Sequence, residues 1–137
     1  MSFRHIVYAW CIVALAMIAN GIFRETVLIS VLDRPGAEAL SILLGIVIIL
    51  AVTRPFVIRW ASPRTGQLLA VSATWLAMTL VFEFVFGHYV EGARWSEIAG
   101  EYRFWDGEMW PVALLTLLVA PFLWVRAAGP HLRSHVR

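Results

Sequence analysis

The chain has 137 residues, of which 61% are hydrophobic, and its mean hydropathy is +0.78. A domain of this length still exposes roughly a third of the surface of its unfolded chain, so this composition requires an apolar solvent such as lipid. The formal net charge is +2, and all 11 basic residues are scattered arginines, which argues against a nucleic-acid-binding stripe. The single cysteine, Cys11, excludes a disulfide, a redox pair or a cysteine zinc site within one chain.

The first apolar segment covers about residues 6–32, which is long enough to span a bilayer. Three polar residues interrupt it: Asn20, Arg24 and Glu25. The alternative is a secretory signal peptide, with Arg4 as its basic start and the small residues at 14–16 as its cleavage site. The apolar pattern continues through residues 27–29, which favours an uncleaved spanning helix.

Two further spans are separated by short turns that contain proline and glycine. A turn at residues 33–36 precedes the second span, at about 37–60. A turn at residues 62–66 precedes the third span, at about 67–90, in which Glu83 is the only strongly charged interior residue. The fourth span covers about residues 109–127.

The connection between the third and fourth spans predicts a short helix over about residues 93–105. Its apolar residues recur at spacings of three and four, which places them on one face of a helix: Trp95, Ile98, Tyr102 and Trp105. Such a helix is typical of the membrane interface, where aromatic rings lie at headgroup level. The alternative is a loop that turns the same side chains toward the bundle.

These elements predict an all-α polytopic membrane protein, with four transmembrane helices and one interfacial amphipathic helix in a single domain over residues 1–137. Helices are required because lipid offers no hydrogen-bond partner to bare backbone groups. With four spans, both termini lie on one side, together with most of the arginines, whereas most acids lie on the other side. The positive-inside rule therefore predicts a bacterial inner-membrane protein with both termini in the cytoplasm.

Small residues four positions apart let helix backbones approach closely. They occur in two of the spans, as Ala37, Ser41 and Gly45 and as Ala73 and Ala77, and in the fourth span Ala113, Thr116 and Ala120 line one side of the helix. We interpret them as contacts within the bundle, and a homodimer face is the alternative.

A buried polar cluster is predicted from residues inside the first and third spans: Asn20, Arg24, Glu25, Thr79 and Glu83. Arg24 and Glu83 lie at similar distances from the outer ends of their own helices, so we expect them to pair across the bundle. Glu25 points about 100° away from Arg24, so these neighbours are not expected to neutralise one another. Gly87, one turn above Glu83, would leave room for a neighbouring side chain.

The cluster has two competing interpretations. In the first it is a structural lock, in which an ion pair and its hydrogen bonds set helix register. In the second it is an ion, proton or anion site open to the outer face. A third alternative places Arg24 and Glu25 among the headgroups.

Polar and aromatic residues are also predicted at the outer interface: His88, Tyr89, Trp95, Tyr102, Trp105 and Trp110. His88 and Glu91 are three residues apart, but a metal site needs more ligands than two. The sequence contains no phosphate loop, no nucleophile elbow and no His-Glu-x-x-His motif. We therefore predict no catalytic site, no metal and no cofactor.

Two segments resemble a set of small uncharacterised bacterial four-helix membrane proteins. They are residues 20–25 (NGIFRE) and residues 82–90 (FEFVFGHYV), followed by Trp95, Tyr102 and a Gly-x-x-Trp start to the last helix at Gly107. The chain departs from that pattern beside Tyr102, which is flanked by glutamate and arginine instead of aspartate and asparagine. The resemblance implies the architecture and no activity.

The sequence therefore favours a non-catalytic accessory or scaffold protein that contains an Arg-Glu lock. The alternative is an oligomeric transporter or channel that uses Glu25 or Glu83 for ion or proton coupling. The expected partners are the lipid bilayer and either further copies of the chain or a larger membrane complex, without nucleic acid.

Overall fold

The computed structural model describes residues 2–59, 63–100 and 110–129. They form five helices and, within those ranges, no strand: α1 Phe3–Val31, α2 Arg34–Ile58, α3 Thr65–Tyr89, α4 Trp95–Gly100 and α5 Trp110–Ala127. Every one except α4 is long and apolar enough to cross a membrane. The prediction of an all-α, multi-pass membrane protein is confirmed, and α4 lies in the connection where a short helix was expected.

The four long helices form a bundle in the order α1, α2, α5, α3, with α3 next to α1 again. The contact between α2 and α5 is the most extensive, and that between α1 and α3 is the smallest of the four. We call the end that holds Phe3 and Ala127 the terminal end. The opposite end, with the α1–α2 turn and α4, is the distal end.

The buried face of α2 repeats every four residues along its whole length. It consists of Ala37, Ser41, Gly45, Ile49, Thr53 and Val57. The small residues of this face bring α2 close to α1, where Met17 and Asn20 lie against Gly45. Ala113 and Ala120 of α5 are also buried. These positions pack as the sequence predicted.

The small residues of α3 do not follow this prediction. Ala73 and Ala77 are exposed, because the buried side of the same helix segment presents Val71, Ser72 and Trp75 to the bundle. The packing predicted for this pair within the chain is therefore wrong.

Near its distal end α1 changes its hydrogen-bonding pattern. A π-helical turn covers Arg24–Leu28, after which Ile29–Val31 closes the helix. Two hydroxyls in this region donate to backbone carbonyls of the same helix: Thr26 to that of Ile22 over 2.7 Å, and Ser30 to that of Val27 over 2.6 Å. A π-turn rotates the residues that follow it out of α-helical register. This turn therefore changes the direction in which the side chains at the distal end of α1 point.

Candidate functional site

Arg24 forms its ion pair with its own neighbour. Its Nε lies 3.1 Å from Oε1 of Glu25, and Nη2 of Arg34 lies 3.7 Å from the same oxygen. The side chains of Arg24 and Glu25 are 33% and 47% exposed, so both have room to bend toward one another. The expectation that these two residues would not neutralise each other is therefore wrong.

The predicted ion pair between Arg24 and Glu83 is absent, and the axial offset of the helices explains why. Trp10 bonds to Thr79 and Trp75 bonds to the carbonyl of Ile6, and both pairs are 69 residues apart. Continued along the two helices, this offset places Arg24 level with residue 93, about ten residues and thus about 15 Å beyond Glu83. The prediction assumed that residues at equal distances from their helix ends lie at equal depth. This assumption fails because α1 extends further toward the distal end than α3 does.

Glu83 instead lies at the interface of α3 and α5. Its Oε2 accepts a hydrogen bond of 3.0 Å from the indole Nε1 of Trp110, and its side chain is half-buried. Trp110 begins α5, so this bond attaches the start of the last span to the distal half of the third. The tryptophan predicted for the membrane interface is thus a partner of the carboxylate.

The remaining members of the predicted cluster bond elsewhere. Asn20, which is buried, donates through Nδ2 to the backbone carbonyl of Ser41 in α2 over 2.8 Å. Thr79 donates to the carbonyl of Trp75 over 2.8 Å and accepts a bond of 2.9 Å from Trp10. The five residues therefore occupy three helix interfaces and the distal end of α1, instead of forming one site.

Indole groups connect most of the neighbouring helices. Trp10 and Trp75 join α1 to α3, Trp110 joins α5 to α3, and Trp124 donates to the carbonyl of Leu50 in α2 over 3.0 Å. Asn20 joins the remaining pair, α1 and α2. Each pair of neighbours in the bundle thus has at least one polar connection. Such bonds contribute about 0.6 kcal/mol each on average in membrane proteins.

Sequence reasoning did not single out Trp10, Trp75 or Trp124. The signal was present, since Trp75 lies ten residues inside a span and an indole N–H needs an acceptor wherever it is buried. Only the acceptors could not be foreseen, because two of them are backbone carbonyls in other helices.

An aromatic group joins α3 to α4 at the distal end. The ring of Trp95 stacks on His88 with centroids 3.9 Å apart, and Tyr89 meets Trp95 edge-on at 6.2 Å. His88 Nδ1 lies 2.9 Å from the carbonyl of Ala93 and donates to it. These three predicted interface residues are therefore brought together, whereas Tyr102 and Trp105 lie outside the described residues.

Gly87 leaves the space on α3 against which α4 packs. Ile98, which is 5% exposed, places its Cδ1 3.0 Å from the position that a Cβ on Gly87 would occupy. The expected space for a neighbouring side chain one turn beyond Glu83 is therefore present, and Ile98 fills it.

In the described part of the chain, no three potential metal ligands from histidine, cysteine, aspartate and glutamate lie together. No family model matches the chain, and neither a curated protein nor a solved structure matches it. Chemical inference about this protein therefore depends on its own side chains.

A charge swap distinguishes the observed arrangement from the predicted pair. We expect Arg24→Glu to change stability by at most about 1 kcal/mol, as for exposed ion pairs. Glu83→Arg should lower the free energy of unfolding by more than this, because Trp110 loses its hydrogen-bond acceptor inside the bundle. The double variant should lose at least as much free energy of unfolding as the two single variants together, as measured by SDS-induced unfolding in mixed micelles. Recovery of wild-type stability in the double variant would contradict the observed arrangement and support the predicted ion pair between Arg24 and Glu83.

Proposed function

We propose that this protein is a non-catalytic accessory or scaffold component of a bacterial inner membrane, with both termini in the cytoplasm. The charges of the described residues support this orientation. The terminal end carries five arginines and no described acid: Arg4, Arg54, Arg59, Arg64 and Arg126. Every described acid except Glu83 lies at the distal end. The distal end carries three described arginines, Arg24, Arg34 and Arg94. An excess of lysine and arginine favours the cytoplasmic side.

The observation that carries the proposal is the use of polar groups inside the spans. Asn20, Thr79 and Glu83 each form a hydrogen bond across a helix interface, to a backbone carbonyl or to an indole. Polar groups that join helices to one another favour a structural role for the bundle.

A second candidate, an oligomeric transporter or channel, is favoured by one observation. Glu83 is an ionisable carboxylate that lies half-buried within a membrane-spanning helix. Such residues are costly in a bilayer, and they commonly mark ion or proton pathways. Glu25, the other carboxylate considered for this role, pairs with Arg24 and Arg34 near the distal end of α1.

The variant Glu83→Gln separates the two candidates. Glutamine keeps an oxygen that accepts from Trp110 but removes the ionisable group. We expect the variant to fold normally and to co-purify, in a mild detergent, with the same membrane protein at the same stoichiometry as the wild type. In proteoliposomes, both chains should leave proton and potassium gradients unchanged relative to empty vesicles.

Glu25→Gln is the matched control, because it removes the carboxylate from the exposed distal end instead. A gradient that collapses with the wild-type chain and persists with Glu83→Gln would contradict the accessory role and support transport. The absence of any stoichiometric partner would contradict the scaffold proposal directly.

A further inference from the structure

An arginine lies on the outside of the bundle where α2 and α5 meet near the terminal end. Arg54 of α2 is exposed, and its Cζ lies over the indole ring of Trp124 in α5, 5.6 Å from the ring centroid. Attraction between a cation and an aromatic face extends to about 6 Å. Among the described residues, none forms a hydrogen bond or an ion pair with Arg54. The N–H donors of its guanidinium are therefore available to a group from outside the chain.

The indole beside Arg54 is held in place by α2. Nε1 of Trp124 donates to the carbonyl of Leu50 over 3.0 Å and to Oγ1 of Thr53, which is fully buried, over 3.3 Å. Leu50 and Thr53 belong to the turn of α2 that precedes Arg54, so the helix that carries the cation also orients the ring. The arginine and its aromatic support are therefore arranged before a ligand arrives, which reduces the entropic cost of binding.

The depth of this pair corresponds to the headgroup region of a bilayer. Arg54 is four residues before Ile58, the last residue of α2, and Trp124 is three residues before Ala127, the last residue of α5. Both lie within about 6 Å of the ends of their helices. The 25 residues of α2 extend over about 37 Å, whereas the hydrocarbon core is about 30 Å thick. The long side chain of an arginine at this depth reaches the lipid phosphates, and tryptophan is enriched at the same level.

The chain supplies no carboxylate side chain near Arg54 among the described residues. The sequence contains no aspartate or glutamate between Glu38 and Glu83. Glu38 lies near the distal start of α2, about 24 Å along the helix from Arg54. Glu83 is 18 residues beyond Thr65, and thus about 27 Å from the terminal end of α3. A permanent cation at the edge of the hydrocarbon is costly without a counter-charge, and the bilayer offers one as phosphate.

The surroundings of Arg54 favour a lipid with a net negative headgroup. Its planar guanidinium can bind two phosphate oxygens at once. The terminal end carries four further arginines and no described acid: Arg4, Arg59, Arg64 and Arg126. These charges attract anionic lipids to that leaflet, whereas a zwitterionic lipid brings an ammonium group that they repel.

We propose that Arg54, supported by Trp124, is a binding site for the phosphate of one anionic phospholipid in the leaflet at the terminal end. The ligand is a lipid and not a soluble phosphate, because the exposed side of a spanning helix presents the arginine at headgroup depth. The site requires only that the chain crosses a bilayer. It is therefore independent of whether the protein acts as a scaffold or a transporter, and of which side of the membrane the termini occupy.

Native mass spectrometry tests the lipid class. The chain, purified in a mild detergent, is mixed with equal amounts of phosphatidylglycerol and phosphatidylcholine that have the same acyl chains. We expect the first adduct to favour phosphatidylglycerol by at least about fivefold, the factor that corresponds to one arginine at an anionic surface. Equal adducts of the two lipids would overturn the proposal. Displacement of phosphatidylglycerol by an excess of soluble glycerol phosphate would also overturn it, since the ligand would then be the soluble phosphate.

Arg59 provides a matched control for the position of the site. It is exposed and directly follows α2, so Arg59→Gln removes the same charge from the same end of the same helix. We expect Arg54→Gln to abolish the preference for phosphatidylglycerol and Arg59→Gln to keep most of it. A preference that survives Arg54→Gln would overturn the site. Equal losses in the two variants would also overturn it, because the preference would then arise from the summed charge of the terminal end.

Lysine variants separate the geometry of Arg54 from its charge. Lysine keeps the positive charge but lacks the planar fork that binds two oxygens. We expect Arg54→Lys to lower the preference for phosphatidylglycerol more than Arg59→Lys does, and equal preferences would contradict the site. Circular dichroism checks that each variant is folded. Because Arg54 is exposed, both of its variants should be, and the lysine pair decides the question if Arg54→Gln is not.

Discussion

Replacement of Trp75 by alanine is expected to cause the largest loss of stability of any single change considered for this protein. Its side chain is 1% exposed and lies in the apolar core of the bundle. Truncation of a buried tryptophan to alanine typically costs about 3–5 kcal/mol, because packing is lost and a cavity remains. We expect SDS-induced unfolding of Trp75→Ala at a much lower SDS fraction than for the wild type.

The variant Trp75→Phe separates packing from hydrogen bonding. Its Nε1 donates to the carbonyl of Ile6 over 2.9 Å, and phenylalanine keeps an aromatic ring but has no donor. A carbonyl oxygen has two lone pairs, so Ile6 can accept this bond and a helical bond together. We expect a loss of about 0.6 kcal/mol for the bond, the average for interhelical bonds in membrane proteins, in addition to a packing loss smaller than that of alanine.

Trp95→Ala is the control for both variants of Trp75. Trp95 is 48% exposed and stacks on His88 at the distal end, outside the core of the bundle. We expect this change to free α4 and to leave the SDS-induced transition of the four long helices near its wild-type midpoint. A Trp75→Ala variant with wild-type stability would show that the α1–α3 contact does not hold the bundle together.

Substitution of Gly45 is expected to have the second largest effect, through overpacking. A Cβ at this position would lie 2.9 Å from Cε of Met17, whose flexible end can move aside. Gly45→Ala should therefore change the free energy of unfolding by less than about 1 kcal/mol, since alanine also favours the helix. Leucine reaches much further and must push α1 away from α2.

Gly45→Leu should therefore cost about 1–3 kcal/mol from overpacking alone. It should cost more if α1 moves, because Asn20 lies beside Gly45 and would lose its bond to the carbonyl of Ser41. The thermal transition in detergent, followed by size-exclusion chromatography, measures the effect. Gly21→Leu is the control, because a Cβ there meets nothing within 4 Å. Equal losses from Gly45→Leu and Gly21→Leu would exclude close packing of α1 on α2 as the cause.

The small residues of α2 and α3 illustrate what sequence patterns can and cannot predict. The four-residue spacing from Ala37 to Gly45 predicted a close contact, and that contact exists because all of α2 repeats with the same period. The same spacing at Ala73 and Ala77 predicted a contact that is absent. Spacing shows which residues share a face, but the face that turns inward depends on the neighbouring helices.

The error at Arg24 and Glu83 has a related cause. Depth within a helix can be counted from its own ends, but the axial offset between two helices is set by contacts elsewhere along them. Here the bonds from Trp10 to Thr79 and from Trp75 to Ile6 set that offset. Glu83 consequently meets Trp110, and Arg24 is left to pair with Glu25.

The sequence by itself determined the four spanning helices, the short helix that follows the third, and the polar residues inside the spans. These follow from hydropathy and periodicity, which are local properties of the chain and are imposed by the need to satisfy backbone groups in lipid. Only the tertiary structure decided which polar groups meet, which small residues are buried, and how far α1 is offset along α3. Those outcomes depend on helix order, offset and rotation, and many weak contacts along each interface set them together.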